Sequence, residues 1–271
     1  MSNLRLRILS ALVMAPAVLL LTWLGGLPFR LLVVAAGFAI FYEWAHMAGL
    51  ERRRVAWLAY GLLLAVPLVM TGAGVPADAT LVAMLPVLLA ALAVGSFAGQ
   101  GAWGAAGIAY AAIPCVAFAA LRGTGAAGLA AIAFLFAVVW ATDVFAYFVG
   151  RAVGGPKLAP AISPGKTWSG AAGGAVFGVL AGIALAVAVG AAHWQMLAVA
   201  SLFLSVASQI GDLFESWIKR RFGAKDSSRL IPGHGGVMDR VDGLVAAATA
   251  LYVVGWLISG SARPADGLFA F

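Results

Sequence analysis

The sequence predicts an all-α integral membrane protein of about nine transmembrane helices, with a cytoplasmic N-terminus and an external C-terminus. Three observations carry this expectation. Hydrophobic residues make up 63% of the 271 and charged residues only 10%, against roughly 45–50% and about 25% in soluble domains. Apolar runs of about 20 residues recur, the length a helix needs to cross hydrocarbon. The runs lack the two-residue alternation of an outer-membrane barrel, and helices satisfy their own backbone hydrogen bonds in lipid.

The expected spans are 8–25, 29–48, 55–72, 80–96, 104–121, 126–149, 169–190, 193–214 and 243–260. The first follows M-S-N-L-R-L-R and exceeds the usual apolar core of a signal peptide, about 7–15 residues, so it reads as a retained span. The turn Gly25-Gly26-Leu27-Pro28 separates it from the second, and a Gly-rich stretch over 92–108 separates the fourth from the fifth. Cys115, the one cysteine, lies in an apolar run and reads as a small buried hydrophobe. It permits no intrachain disulfide and no cysteine-based zinc site.

The basic residues orient the spans. With the N-terminus inside, inner segments hold 14 of the 17 Lys and Arg residues. Only Arg30, Arg122 and Arg263 fall outside, a strong positive-inside bias. The loops 150–168 and 215–242 then face the cytoplasm. The net charge of +7 is attributed to these loops and not to nucleic-acid binding. A single polytopic membrane domain over 1–271 is the simplest division, mostly apolar over 1–125 and polar in its chemistry over 126–260. An inner, plasma-type membrane is expected. The oligomeric state, a homodimer among the options, stays open.

The polar chemistry concentrates in S-W-I-K-R-R-F-G-A-K-D-S-S-R-L-I-P-G-H-G-G-V-M-D-R-V-D, residues 216–242. Five of the ten acidic residues and six of the 17 basic ones fall between 212 and 242. Carboxylates beside cations suit a divalent metal and a polyphosphate. Asp212, Glu215, Ser216 and Lys219 are spaced by three, four and seven, near one face of a helix. Asp239 and Asp242 share a face if Asp239 begins the next helix. Magnesium takes oxygen ligands and binds through one or two carboxylates plus phosphates, so Asp212 with Asp239 would suffice. The alternative is an ion-paired structural network. The glycines of Gly233-His234-Gly235-Gly236 allow close backbone approach to a ligand. His234 could serve as a base, orient the turn or bind phosphate.

Three further features bear on function. Asp143 lies near the inner end of the sixth span, where an acid is a functional candidate by default. Ser163-Pro164-Gly165-Lys166-Thr167 contains G-K-T but lacks the earlier glycine and strand of a Walker A loop. Lys166 before a helix start is a phosphate contact or a basic anchor at the headgroups. Its Gly- and Pro-rich surroundings favour irregular backbone. Glu43 and His46, one turn apart in the second span, read as interfacial structural residues.

Taken together these residues resemble the phosphatidate cytidylyltransferase (CDP-diacylglycerol synthase) family. The signature covers Ser216, Ile218, Lys219-Arg220, Lys225-Asp226, Ser228, Ile231-Pro232, His234-Gly235-Gly236, Asp239-Arg240 and Asp242, with no departure. Ser163-Pro164, Lys166-Thr167 and Gly211-Asp212 also look like the family's. The resemblance implies transfer of a cytidylyl group from CTP to phosphatidic acid within the bilayer, with Mg²⁺ and with two metal ions an option. Asp212 and Asp239 would hold metal, with Asp242 and Asp143 beside them. Lys166, Lys219, Arg220, Lys225 and Arg240 would bind phosphates, and Ser216 would contact phosphate or metal. Ser163, Thr167, Asp226, His234, Gly235 and Gly236 complete the expected substrate-binding set.

A coupled transporter would place its acids near the bilayer midplane, often in repeated halves, and no repeat is seen. A CTP-dependent polyprenol kinase shares the nucleotide and metal needs and differs in product.

Overall fold

The computed structural model describes residues 3–260 and 263–269, with the backbone alone for 3–9 and 11. The side chains of Arg5 and Arg7, counted above as internal, lie outside the described residues. The helices are α1 (Asn3–Leu24), α2 (Gly26–Met47), α3 (Arg54–Ala73), α4 (Ala77–Ala98), α5 (Trp103–Arg122), α6 (Ala126–Val153), α7 (Trp168–Ala188), α8 (Trp194–Arg221), α9 (Met238–Ser259) and the short α10 (Pro264–Leu268). Among the described residues, the eight helices α2–α9 are long and apolar enough to span a membrane. The remaining expected span falls on α1, whose described apolar stretch is Leu12–Leu24.

Two expectations change. The chain is not purely helical: strands β1 (Lys157–Ala159) and β2 (Ser163–Thr167) form an antiparallel ribbon where irregular backbone was expected. Gly154 and Gly155 (φ +67° and +101°) turn the chain out of α6, and the pairing of Lys157 with Thr167 then satisfies extended backbone. Helix ends also lie beyond the change from apolar to charged sequence. Residues 215–221 are helical, so the loop expected over 215–242 covers only 222–237. Helix α8 stops just before Gly223, φ +69°, so a backbone conformation and not charge ends it. Helices α6 and α8 have 28 residues each, or ~42 Å at 1.5 Å per residue. That exceeds the ~30 Å hydrocarbon core, so each can project about two turns into the interface.

The chain divides into two compact units. The first holds residues up to Ala120 together with Phe222–Arg240, and the second holds Leu121–Arg221 with the residues from Val241 onward.

In the first unit aromatic rings fill notches left by glycine. Trp44 of α2 is 1% exposed. It sits where a Cβ on Gly107 would fall, and its Nε1 donates to Trp103 O at 2.9 Å. Tyr60 of α3 fits against Gly104 in the same way. Cys115 is buried as expected, donating to Val33 O at 3.0 Å opposite Gly37. Large apolar side chains on α3 and α4, such as Leu62, Leu85 and Leu89, point outward. An apolar exterior of this extent suits lipid and not water.

In the second unit α7 carries buried Gly170, Gly174, Gly178 and Gly182 at a spacing of four. A Cβ on Gly174 would lie 2.7 Å from Thr142 O of α6, and one on Gly178 would meet Thr142 Oγ1. Small residues are the device for close helix approach in lipid, where no hydrophobic force drives helices together. The polarity is inverted as well: Ser201, Ser205 and Ser208 of α8 are fully buried, and Thr142 Oγ1 donates to Ser205 Oγ at 2.8 Å.

Gly178→Leu should therefore destabilise the protein by about 1–3 kcal/mol through overpacking, seen as a lower melting temperature in detergent. Val176→Leu on the exposed face of the same helix should leave it unchanged.

Candidate active site

Four elements of the second unit bring ionisable side chains together. Asp143 comes from α6, Lys166 from β2, Asp212 from α8 and Asp242 from α9. Lys166 Nζ forms an ion pair with Asp212 Oδ2, and both side chains are about 30% exposed. Asp143 lies within Coulombic reach of Asp242, Asp212 and Lys166, and Asp242 also of Lys219.

The backbone explains this gathering. Gly211 packs so closely on α9 that a Cβ there would lie 2.7 Å from Asp242 O, and one on Gly243 would lie 3.2 Å from Ser208 O. A glycine thus precedes Asp212 on one helix and follows Asp242 on the other, and the two acids sit at the tightest approach of α8 and α9. The Thr142–Ser205 bond ties α6 to α8 one residue before Asp143. Thr167 caps α7, accepting from Gly170 N at 3.1 Å, and so fixes the end of the strand that carries Lys166.

Three carboxylates meet Lys166 and, at Asp242, Lys219, which is itself paired with Glu215, so carboxylates outnumber ammoniums. That donor set fits a hard divalent cation, which prefers carboxylate and phosphate oxygen. Among the described residues, no group of three or more His, Cys, Asp or Glu side chains is gathered tightly enough to enclose a metal alone. The three carboxylates are thus gathered without forming a closed protein cage.

Glu215 and Lys219 behave differently from their helix neighbours. Glu215 is fully buried and pairs with Lys219 Nζ at 2.6 Å, whereas Asp212 is open. The four residues expected near one face are thus divided into an open acid and a buried ion pair. Ser216 is half-buried and Arg220 exposed. Ser163 opens β2 paired with Ala159.

In the first unit the remaining signature residues form a pinned loop. Ile231 N donates to Gly235 O at 2.8 Å and His234 N to Ile231 O at 2.9 Å, closing a turn with Gly233 and Gly235 at φ +79° and +84°. Asp239 begins a helix turn as expected, one turn before Asp242 on α9. Asp239 Oδ2 accepts from Ser227 N, Ser227 Oγ and Gly236 N, each at 2.9 Å. Asp239, an expected metal ligand, thus also organises the loop. His234 Nδ1 lies 2.7 Å from Ser10 Oγ of α1. Lys225, Asp226, Arg229 and Arg240 are exposed.

Glu43 holds the other side of this loop. It accepts from Ser228 Oγ at 2.6 Å, Met238 N at 2.7 Å, Val237 N at 2.8 Å and Ser227 Oγ at 3.1 Å. Sequence reasoning gave Glu43 a structural role at the interface and missed its partners. An acid inside a span was the available signal. His46 takes no part, its Nδ1 lying 3.1 Å from Tyr42 O. A cavity of about 540 Å³ elsewhere in this unit, lined by Arg52, Arg53, Gln100 and Trp103 among others, contains none of the expected site residues.

Comparison with known proteins agrees with the signature. The model of the cytidylyltransferase family matches residues 5–258. The phosphatidate cytidylyltransferase of Brucella suis is 46% identical over 275 residues, covering all of both chains. That of Brucella abortus is 48% identical over 259 residues, 94% of each. The Bacillus subtilis enzyme of the same name is 44% identical over 136 residues, about half of each chain. With the family model matched nearly end to end and such relatives along its full length, this membrane chain belongs to the cytidylyltransferase family and is a nucleotidyltransferase.

Proposed function

We propose that the chain transfers a cytidylyl group from CTP to phosphatidic acid, giving CDP-diacylglycerol and pyrophosphate. The gathering of Asp143, Asp212 and Asp242 around Lys166 supports this reading above all other features. A phosphate oxygen of phosphatidate attacks the α-phosphorus of CTP, and the bond from that phosphorus to the bridging β-phosphate oxygen breaks. The attacking oxygen is already anionic at neutral pH, so no strong base is needed. Catalysis becomes a matter of alignment and charge neutralisation.

Asp212 and Asp242, with Asp143 beside them, would hold Mg²⁺, which neutralises charge on the leaving pyrophosphate. Lys166 already lies against a carboxylate and can exchange it for a substrate phosphate without leaving the group. Ser216 and Arg220 lie on the same helix as Asp212, and we assign them to phosphate. Lys219 is committed to buried Glu215 and sets the charge balance beside Asp242. Lys225 and Arg240 are exposed cations of the signature loop suited to phosphate, whereas Asp239 orders that loop. The acyl chains of the lipid stay in the bilayer. The 14-to-3 distribution of basic residues supports an inner-membrane enzyme with this chemistry on the cytoplasmic side and nine spans.

Three measurements test this reading. In proteoliposomes, Asp212→Asn and Asp242→Asn should each lower CTP- and phosphatidate-dependent pyrophosphate release by about 10²-fold or more, the scale of losing one preorganised charge-stabilising group. Near-wild-type rates in both, at limiting Mg²⁺, would remove the metal assignment. Chelation with EDTA should abolish turnover and added Mg²⁺ restore it, with CDP-lipid and pyrophosphate as the products. Lipid phosphate and CDP would point to a kinase instead. A reporter fused after residue 269 should be active only on the external side, and activity on the cytoplasmic side would exclude nine spans with an internal N-terminus.

A further inference from the structure

We infer that Glu43 is a positioning residue for the reaction: from the second helix it holds residues 227–238 in the geometry that transfer requires, without touching substrate. The inference rests on the cytidylyl-transfer reading above, but its structural part stands on the hydrogen bonds alone.

Glu43 is fully buried. Oε1 accepts from Ser228 Oγ and Val237 N and Oε2 from Met238 N, while the single Ser227 hydroxyl proton is shared between Oε2 and Asp239 Oδ2. These donors take up at least three of a carboxylate's about four lone-pair sites, and full burial leaves no open side for a metal or a phosphate. That occupancy separates Glu43 from Asp212 and Asp242, which are only partly buried. The donors are also informative. Val237 N lies just before α9 and Met238 N opens it, where amides have no acceptor within the helix. A negative group there also complements the helix dipole. Glu43 therefore caps α9 from a different helix, and through the two serines it ties the cap to the start of the loop.

Glycine completes the lock. A Cβ on Gly236 would collide with Ser227 Oγ and lie 2.5 Å from Glu43 Oε1, so the loop backbone passes directly over the carboxylate. Asp239 holds Ser227 and Gly236 from the opposite side. The exposed Lys225 and Arg229 and the His234 turn hang from a segment fixed between two acids.

The test compares wild type with Glu43→Gln in the full-length reconstituted enzyme. The amide turns two acceptor positions into donors facing donors. The expected result is a fall in kcat/KM for CTP of about 10²-fold, the scale of roughly ångström misplacement. Peptides covering 225–238 should exchange their amide hydrogens at least about tenfold faster, as for a locally opened segment, while those of 168–188 keep their protection. Ser228→Ala, which removes one of these bonds, should show the same pattern at smaller amplitude, and it serves if Glu43→Gln is not recovered from membranes. Unchanged exchange over 225–238 would overturn the inference, as would exchange raised equally throughout or unchanged kcat/KM. If wild type itself released no CTP-dependent pyrophosphate, the functional reading would fail, while the exchange comparison would still report on the loop.

Discussion

A buried carboxylate is the constraint on which the first unit's polar loop depends. An acid inside a span costs about 2.5–3.5 kcal/mol on insertion scales. Glu43 offsets this with three hydrogen bonds and a share of the Ser227 hydroxyl, and bonds to a charged group contribute about 1.5–3 kcal/mol each. The balance holds only while the loop is closed over it. Opened, the loop would leave a charge in an apolar surround with no donors. The same bonds that order residues 227–238 thus make their disorder unfavourable.

The second unit solves a different problem, which is to bring like charges together. Asp143, Asp212 and Asp242 repel one another, and the chain gathers them by shape. Glycine at 170, 174, 178 and 182 draws α7 onto its neighbours, and Gly211 with Gly243 draws α8 onto α9. Backbone approach fixes where the acids sit, and Lys166 offsets part of the repulsion.

Much of this was legible in the chain. Composition and run length gave the helices, and the sequence singled out Asp143, Lys166, Asp212 and Asp242, which the structure brings together. The glycine spacing on α7 was also readable and was passed over. What sequence could not supply was pairing at a distance. Glu43 and Ser227 are 184 positions apart, and no local pattern links them. The span ending at 214 was drawn at the charge boundary, although Asp212 to Lys219 were read on one helix, and that helix carries charge beyond the hydrocarbon and stops just before Gly223 at positive φ. The ribbon over 157–167 was missed because Pro160, Pro164 and Gly165 within it outweighed its short extended strands.

The signature is continuous in sequence but divided in structure. Residues 216–221 and 241–242 belong to the second unit, while 222–240 belong to the first. Its positions therefore answer to different physics. Asp242 stands in a cluster whose purpose is charge. Gly236, Ser227 and Asp239 serve hydrogen-bond closure around buried acids, and a substitution there acts through loop order. Asp239 and Asp242 are three residues apart on one helix, yet one is engaged by donors of the preceding loop and the other, bonded to the adjacent Gly243 N, stands among neighbouring acids. The motif's length reflects two requirements in one stretch of chain, an ordered loop and an acidic helix end. The helix start at Met238 meets both: its first amides are capped by Glu43, and its first turn leads to Asp242.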